Sequence, residues 1–357
     1  MRKLRIAILA SNFIRIPPLP MAKYVPKGFS GAPEMIIYEI AEGMVRKGHE
    51  VTVFASGDSE VSAKLISVTD EATWKNVGVG RHKDYEHLLI SKAYQMAEAG
   101  EFDIIHSNYD VRSAYYAPLV KIPTVSTLHS PLDDATKKKD ILKYYFNTQY
   151  YVSISDNQRK DLPELQYIGT VYNGIDIKNI PFKEEKEDFL IFVGRIVETK
   201  GVSEAIEIAK KTNHKLHIFG TPEEKSDYWD KKIKPYIDNK QIFHHGAVAR
   251  EELFDYISRA KAFIFPLQWE EPFGLVSIEA MATGTPTIAL SKGALPEVIE
   301  DKKTGFLCKS LDEMIEALNK LNTIKPFDCR KRVENMFTIE KMVDNYEKLY
   351  FKILNKN

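Results

Sequence analysis

Short apolar runs that end in small or polar residues alternate with amphipathic segments along almost the whole chain, and few architectures accept that pattern. "LRIAILAS" reads as a strand buried on both faces, apolar and partly β-branched. "PEMIIYEIAEGMVRKGHE" reads as a helix, with Met35, Ile36, Ile40 and Met44 along one side and Gly48 as its stop. "VTVFAS", "FDIIHSN", "PTVSTLHS" and "YYVSISD" continue as strands. This alternation predicts an α/β sheet of parallel strands covered by helices on both faces.

The same grammar starts again at "DFLIFVGR" and runs through the helix "VSEAIEIAKKT", the strand "KLHIFG", a helix near Glu251 to Ala260, the strand "KAFIFPL", a helix from Leu275, and "TPTIAL". Between the two runs "NGIDIKNIPFKEEKED" is polar and without period, which places a linker around residues 176–188. With 357 residues the chain is long enough for two Rossmann-like domains, 1–178 and 185–337. The last segment, 338–357, reads as one amphipathic helix with Met342, Tyr346, Leu349 and Ile353 on a face.

Fifty basic residues balance fifty acidic ones, so no global field recruits nucleic acid. Cys308 and Cys329 give neither a disulfide framework nor a zinc spacing, and point to a reduced, cytoplasmic setting. No stretch approaches the ~20 apolar residues of a membrane span. The basic "KKKD" at 137–140 reads as a solvated helix end, and it leaves a peripheral contact with the inner face of a membrane open.

In doubly wound sheets ligands sit beyond the carboxyl ends of the strands. The loops to inspect are therefore "SNFIRIPP…FSGAPE", "STLHS", "GRIVETKG" and "QWEEPFG". "VGRIVETKG" sets Arg195 and Lys200 between a strand end and a helix, a planar fork and a mobile point charge suited to a diphosphate. In "EEPFGLVSIEAMA" a helix should begin near Gly274, and its free N–H groups make an anion site that a glycine leaves open to close approach. Glu271 and Glu279 admit two readings. As ionised carboxylates they accept hydrogen bonds from sugar or ribose hydroxyls; as ordinary acids at a helix start they are favoured by the dipole.

Glu271, seven residues, then Glu279, within "EPFGLVSIEAMATGTPTIA", resembles the signature of glycosyltransferase family 4. "GALPEVIEDKKTGFL", "FVGRIVETKGV" and "VYNGIDIKNI" are similar to further segments of that family, and the resemblance spans nearly the whole chain. It implies the GT-B fold: two Rossmann-like domains facing a central cleft, the first binding the acceptor, the second the nucleotide-sugar donor, with a last helix crossing back to the first. It implies a hexosyl transfer that retains anomeric configuration, with no cofactor and no metal, onto a hydroxyl of a glycan, glycolipid or small molecule. By position, Arg195 and Lys200 fall on the donor diphosphate, Glu271 on the donor sugar and Glu279 on the ribose. Gly194 belongs to the same donor loop, and the backbone of Phe273, Gly274 and Leu275 sits beside phosphate and sugar. His129, closing "STLHS", falls where the family carries a His near the donor sugar, and an imidazole there can donate a hydrogen bond to a hydroxyl or phosphate. His106 in "DIIHSN" is the competing histidine and is taken as structural. "KGFSGAPE" resembles the family's Gly-Gly loop but carries Ser30 where the first glycine is usual, leaving Gly31 for the phosphates. Pro17, Pro18, Pro20 and Pro26 stiffen that loop, which shapes the acceptor side. "VGVG" at 77–80 is not a dinucleotide fingerprint, because no third glycine follows. A sugar-nucleotide epimerase or hydrolase, or a non-catalytic nucleotide-sugar binder, would share these motifs.

Overall fold

Strand β1 (Arg5–Leu9) lies inside a seven-stranded parallel sheet, third from one edge, and is buried from its second residue on. The structure, a computed structural model, describes residues 2–19, 31–77, 81–132, 137–223 and 225–355. Ser30, Pro20, Pro26 and both glycines of "VGVG" lie outside these residues. With β2 (Glu50–Phe54), β3 (Lys64–Ile66), β4 (Ile104–Ser107), β5 (Thr124–Leu128), β6 (Tyr150–Ser153) and β7 (Tyr167–Thr170), the sheet has the order β3-β2-β1-β4-β5-β6-β7. Helices α1 (Ala32–Arg46), α2 (His82–Glu98) and the short α3 (Lys138–Leu142) connect them. The order reverses between β1 and β4, so the chain leaves neighbouring strands in opposite directions there. A crevice opens at such a switch point, beyond the carboxyl ends.

The second sheet repeats the plan. It contains β8 (Phe189–Val193), β9 (Lys215–Phe219), β10 (Ile242–Gly246), β11 (Ala262–Phe265), β12 (Thr287–Leu290) and β13 (Gly305–Cys308), in the order β10-β9-β8-β11-β12-β13. Helices α4 (Val202–Lys211), α5 (Arg250–Arg259), α6 (Leu275–Ala282), α7 (Leu295–Val298), α8 (Leu311–Leu318) and α9 (Pro326–Met336) belong to this unit. The switch point falls between β8 and β11, the two strands whose following loops carry the diphosphate and carboxylate motifs. Cys308 and Cys329 are buried free thiols, each pushed up to about 12 by burial.

The chain divides into one unit of residues 1–174 and 339–357 and a second of 175–338. The segment expected as a linker, 176–188, is bound into the second unit. Arg330 donates to the carbonyls of Ile177 and Ile180, and Lys186 donates to the carbonyls of Ser258 and Thr283 and to Thr285 Oγ1. Lys186 alone of its charged side chains is turned to these partners, while Lys178, Glu184, Glu185, Glu187 and Asp188 remain exposed. Burial lowers the Lys186 ammonium to about 8.

The last helix, α10 (Ile339–Leu354), belongs to the first unit, and Met342, Tyr346, Tyr350 and Ile353 are buried there. Its tyrosines end in a polar knot under the sheet. His106, fully buried on β4, binds Tyr350 Oη through Nδ1 at 2.6 Å and Thr127 Oγ1 through Nε2 at 2.8 Å, and Thr127 meets Tyr346 Oη at 3.0 Å. Both ring nitrogens are therefore engaged within the core, and burial pushes the ring down to about 3. Tyr350→Phe leaves Nδ1 without a partner in a dry site, and is expected to cost about 1–3 kcal/mol. Urea unfolding measures it; an unchanged midpoint would remove the knot from the account of how α10 is held. Among the described residues no helix is long and apolar enough to cross a membrane.

Candidate active site

The loop after β8 runs Gly194, Arg195 and on through a 3-10 turn, Glu198–Lys200, to Gly201, which caps α4. Gly201 is left-handed, at φ 77°, and a Cβ on it would lie 1.9 Å from the carbonyl oxygen of Pro266. That close approach, with Gln268 N donating to Thr199 O at 2.8 Å, lays the loop against the end of β11. Lys200 is thereby delivered to "QWEEPFG".

There its ammonium meets Glu271. Nζ lies 2.5 Å from Oε2, and both side chains are largely sheltered from solvent, at 14% and 13% exposure. The ammonium also rests over the Trp269 ring, 4.7 Å from its centroid, while the Trp269 indole N–H donates to the same Oε2 at 3.0 Å. One carboxylate oxygen thus takes two donors. The other, Oε1, makes no hydrogen bond to described residues.

The turn carrying Glu271 is braced from a distant stretch. Ala294 N donates to Glu271 O at 2.8 Å, and Gly293 N donates to Glu270 Oε2 at 2.6 Å. A Cβ on Gly293 would lie 2.3 Å from both the N and O of Glu271, so only glycine lets the two backbones touch. Of the adjacent acids, Glu270 holds the loop and Glu271 faces Lys200.

Gly274 is the N-cap of α6 at φ 93°, ψ 53°, and no side chain caps the helix. Its glycine is required by that left-handed turn and by packing, since a Cβ would lie 2.9 Å from Leu295 Cδ2 and 3.7 Å from Glu271 Cγ. Phe273 is buried, edge-on to Phe337 at 5.9 Å, and anchors the approach to the helix, while Leu275 opens α6 half-buried. The uncapped N–H groups of α6 form an anion-attracting end.

Lys200, Glu271 and Gly274 therefore form one contiguous group. Arg195 and Glu279 stand outside its hydrogen bonds. Arg195 is exposed at the start of the β8 loop, next to Gly194, whose N donates to Phe219 O at 3.0 Å. Glu279 faces Arg250 of α5 at 3.4 Å, and burial raises its carboxyl while Arg250 opposes the rise. Trp269, Gly293 and Arg250 were not singled out by sequence. An indole two residues before a carboxylate carries no recognisable signal, and the other two come from remote segments.

In the first unit, Gly31 is left-handed, at φ 68°, and caps α1. His129 follows β5. Its backbone N donates to Asp110 Oδ1 at 2.9 Å, its Nε2 lies 2.9 Å from Asn108 Oδ1, and Asp110 is ion-paired to Lys138 of α3. Burial pushes the His129 ring down to about 4, with Asp110 opposing and Lys138 adding to the fall. A neutral ring is the result, and Asn108, Asp110 and Lys138 were not foreseen around it. Lys138 lies in "KKKD", so at this lysine the basic run is an ion-pair partner instead of a solvated end.

Residues 175–335 match the family model for glycosyl transferases group 1, and residues 33–179 match that for glycosyltransferase family 4. The N-acetyl-alpha-D-glucosaminyl L-malate synthase of Bacillus anthracis is 25% identical, over 88% of this chain and 92% of its own. Among solved structures, sucrose-phosphate synthase of Thermosynechococcus elongatus superposes with a TM-score of 0.77 at 17% identity, with 100% of each chain covered. Anabaena HepE, solved with UDP, superposes at 0.72 and 16% identity over 97% of this chain and 99% of that one. HepE has also been solved with UDP-glucose.

Proposed function

We propose that this chain, which has the GT-B fold and whose two halves match the family models for glycosyltransferase family 4 and glycosyl transferases group 1, moves a sugar from a nucleoside-diphosphate sugar to an acceptor hydroxyl with retention of anomeric configuration. The observation that carries the donor class is the group at the second switch point: a sheltered ammonium, a carboxylate with one bare oxygen, and an uncapped helix start. A diphosphate needs positive charge and N–H donors, and a sugar needs acceptors for its hydroxyls. HepE, with the same fold, holds UDP and UDP-glucose, which supports the same donor class here.

Glu271 and Lys200 occupy each other while no anion is present. An arriving diphosphate competes for the ammonium, and Oε1, with Oε2 as it is released, accepts hydrogen bonds from the donor sugar. Negative charge grows on the diphosphate as the glycosidic bond breaks, and Lys200, Arg195 and the α6 amides stabilise it. The acceptor hydroxyl attacks from the face the diphosphate leaves, and a departing phosphate oxygen takes its proton. No protein nucleophile is assigned, and the scheme needs no metal because side chains and amides supply the positive charge.

Calorimetric titration with UDP, GDP and ADP, run in EDTA, tests this directly. One diphosphate is expected to bind, and the matching labelled sugar nucleotide is expected to hydrolyse slowly without acceptor. Failure of all three to bind would overturn the donor assignment, and binding without hydrolysis or transfer would favour a pure binder.

A further inference from the structure

The hydrogens around His129 can be placed from its neighbours. The carbonyl oxygen of Leu9 is an acceptor only, and it receives both the backbone N–H and the side-chain Nδ2 of Asn108, each at 3.1 Å. The amide end facing Leu9 is therefore the NH2, and Oδ1 is turned to His129, 2.9 Å from Nε2. An amide oxygen cannot donate, so Nε2 carries the hydrogen. Since the ring is neutral, Nδ1 keeps a bare lone pair, and it makes no hydrogen bond to described residues.

We propose that Asn108 is a positioning residue that locks His129 in the Nε2–H form, so that His129 holds its ligand as an acceptor: it takes the hydrogen of a neutral hydroxyl and repels phosphate or carboxylate oxygens. It differs from the expectation that the ring donates to its ligand, because its one hydrogen is spent on Asn108. Asp110 grips the His129 backbone from the β4 side, Lys138 approaches from α3, and His106 lies below on β4. Burial and the Lys138 ammonium disfavour an imidazolium, and Asp110, which opposes them, is itself paired to Lys138. The identity of the hydroxyl as a sugar's rests on the transferase reading; the position of the hydrogen does not.

The test uses the full chain with 15N-labelled histidine and long-range 1H–15N spectra, the His129 signals being identified by their loss in His129→Gln. The expected pattern from pH 8 down to about pH 5 is a protonated Nε2 and a bare Nδ1. A hydrogen on Nδ1, or an imidazolium at pH 7, would overturn the proposal. In Asn108→Asp a carboxylate replaces the amide oxygen, and the His129 pKa is expected to rise by about one unit or more. The kcat/KM profile of that variant then gains an acid limb above pH 5 that the parent lacks, as Nδ1 turns from acceptor to donor. A folded Asn108→Asp with an unmoved His129 titration would also overturn it. If that variant does not fold, the parent spectrum alone decides. Because the spectra read the free protein, they stand apart from whether a nucleotide binds.

Discussion

Glu271→Gln is expected to lower sugar transfer by about 100-fold, about 2.7 kcal/mol of transition-state stabilisation, while nucleoside-diphosphate affinity changes little. The substitution keeps shape and removes charge. Hydrogen bonds from sugar hydroxyls to a carboxylate are roughly twice as strong as those to a neutral amide, so the grip on the sugar weakens. The nucleotide feels an offsetting change. Lys200 loses the partner that holds it at 2.5 Å and becomes freer to meet a phosphate. The indole N–H of Trp269 still finds an amide oxygen, so the turn should persist. Calorimetry with the diphosphate and steady-state kinetics with the complete donor separate the two effects. Full turnover in the variant would mean that Glu271 serves the fold and not the sugar.

Gly201→Ala is expected to destabilise the second unit by about 3 kcal/mol or more. The new methyl would fall 1.9 Å from the Pro266 carbonyl oxygen, and the backbone there is left-handed at φ 77°. Backbone atoms cannot rotate aside as a side chain would. Gly246 provides the comparison: its φ is 69°, but nothing lies within 4 Å of a Cβ placed on it. Gly246→Ala should therefore cost only the conformational strain, about 1–2 kcal/mol. Urea unfolding of both variants measures the difference. Equal losses would show that Gly201 is needed for its φ alone and that the loop can move away from β11. In the folded fraction of Gly201→Ala, weakened diphosphate binding is expected too, because the same contact places Lys200.

Much of this could be read from the chain because two levels of information agree. Apolar runs such as "FLIFV" and "AFIF" are buried along their whole length, so they announce parallel strands without any alternation. The motif loops follow β8 and β11, where a doubly wound sheet must open. Edge strands β3, β10 and β13 gave weaker signals; β3 is three residues long, and β10 carries two histidines in "IFHHG". In 176–188 polarity does mark exposed side chains such as Lys178, Glu184 and Glu187, but only the fold shows Arg330 taking up the carbonyls of Ile177 and Ile180 and Lys186 turning inward to Ser258 and Thr283. The same holds for the site. The residue type of Glu271 and its spacing from Glu279 are visible in sequence. Its indole neighbour, its brace from Gly293 and the cation of Arg250 against Glu279 depend on which loops the sheet brings together. His129 shows the limit most clearly. Its place at a strand end is legible, but whether it gives or takes a hydrogen depends on an asparagine on the neighbouring strand's end and the Leu9 carbonyl behind that.

The first unit is written in two instalments, residues 1–174 and 339–357. A ribosome issues every residue of the second unit before Tyr346 and Tyr350 exist, so the half that is begun first is finished last. Until α10 emerges, Nδ1 of His106 lacks its tyrosine partner and Thr127 has His106 alone inside a nascent sheet, a state open to wrong pairings. The late turns of α10 thus supply partners to a domain whose strands were made a whole domain earlier.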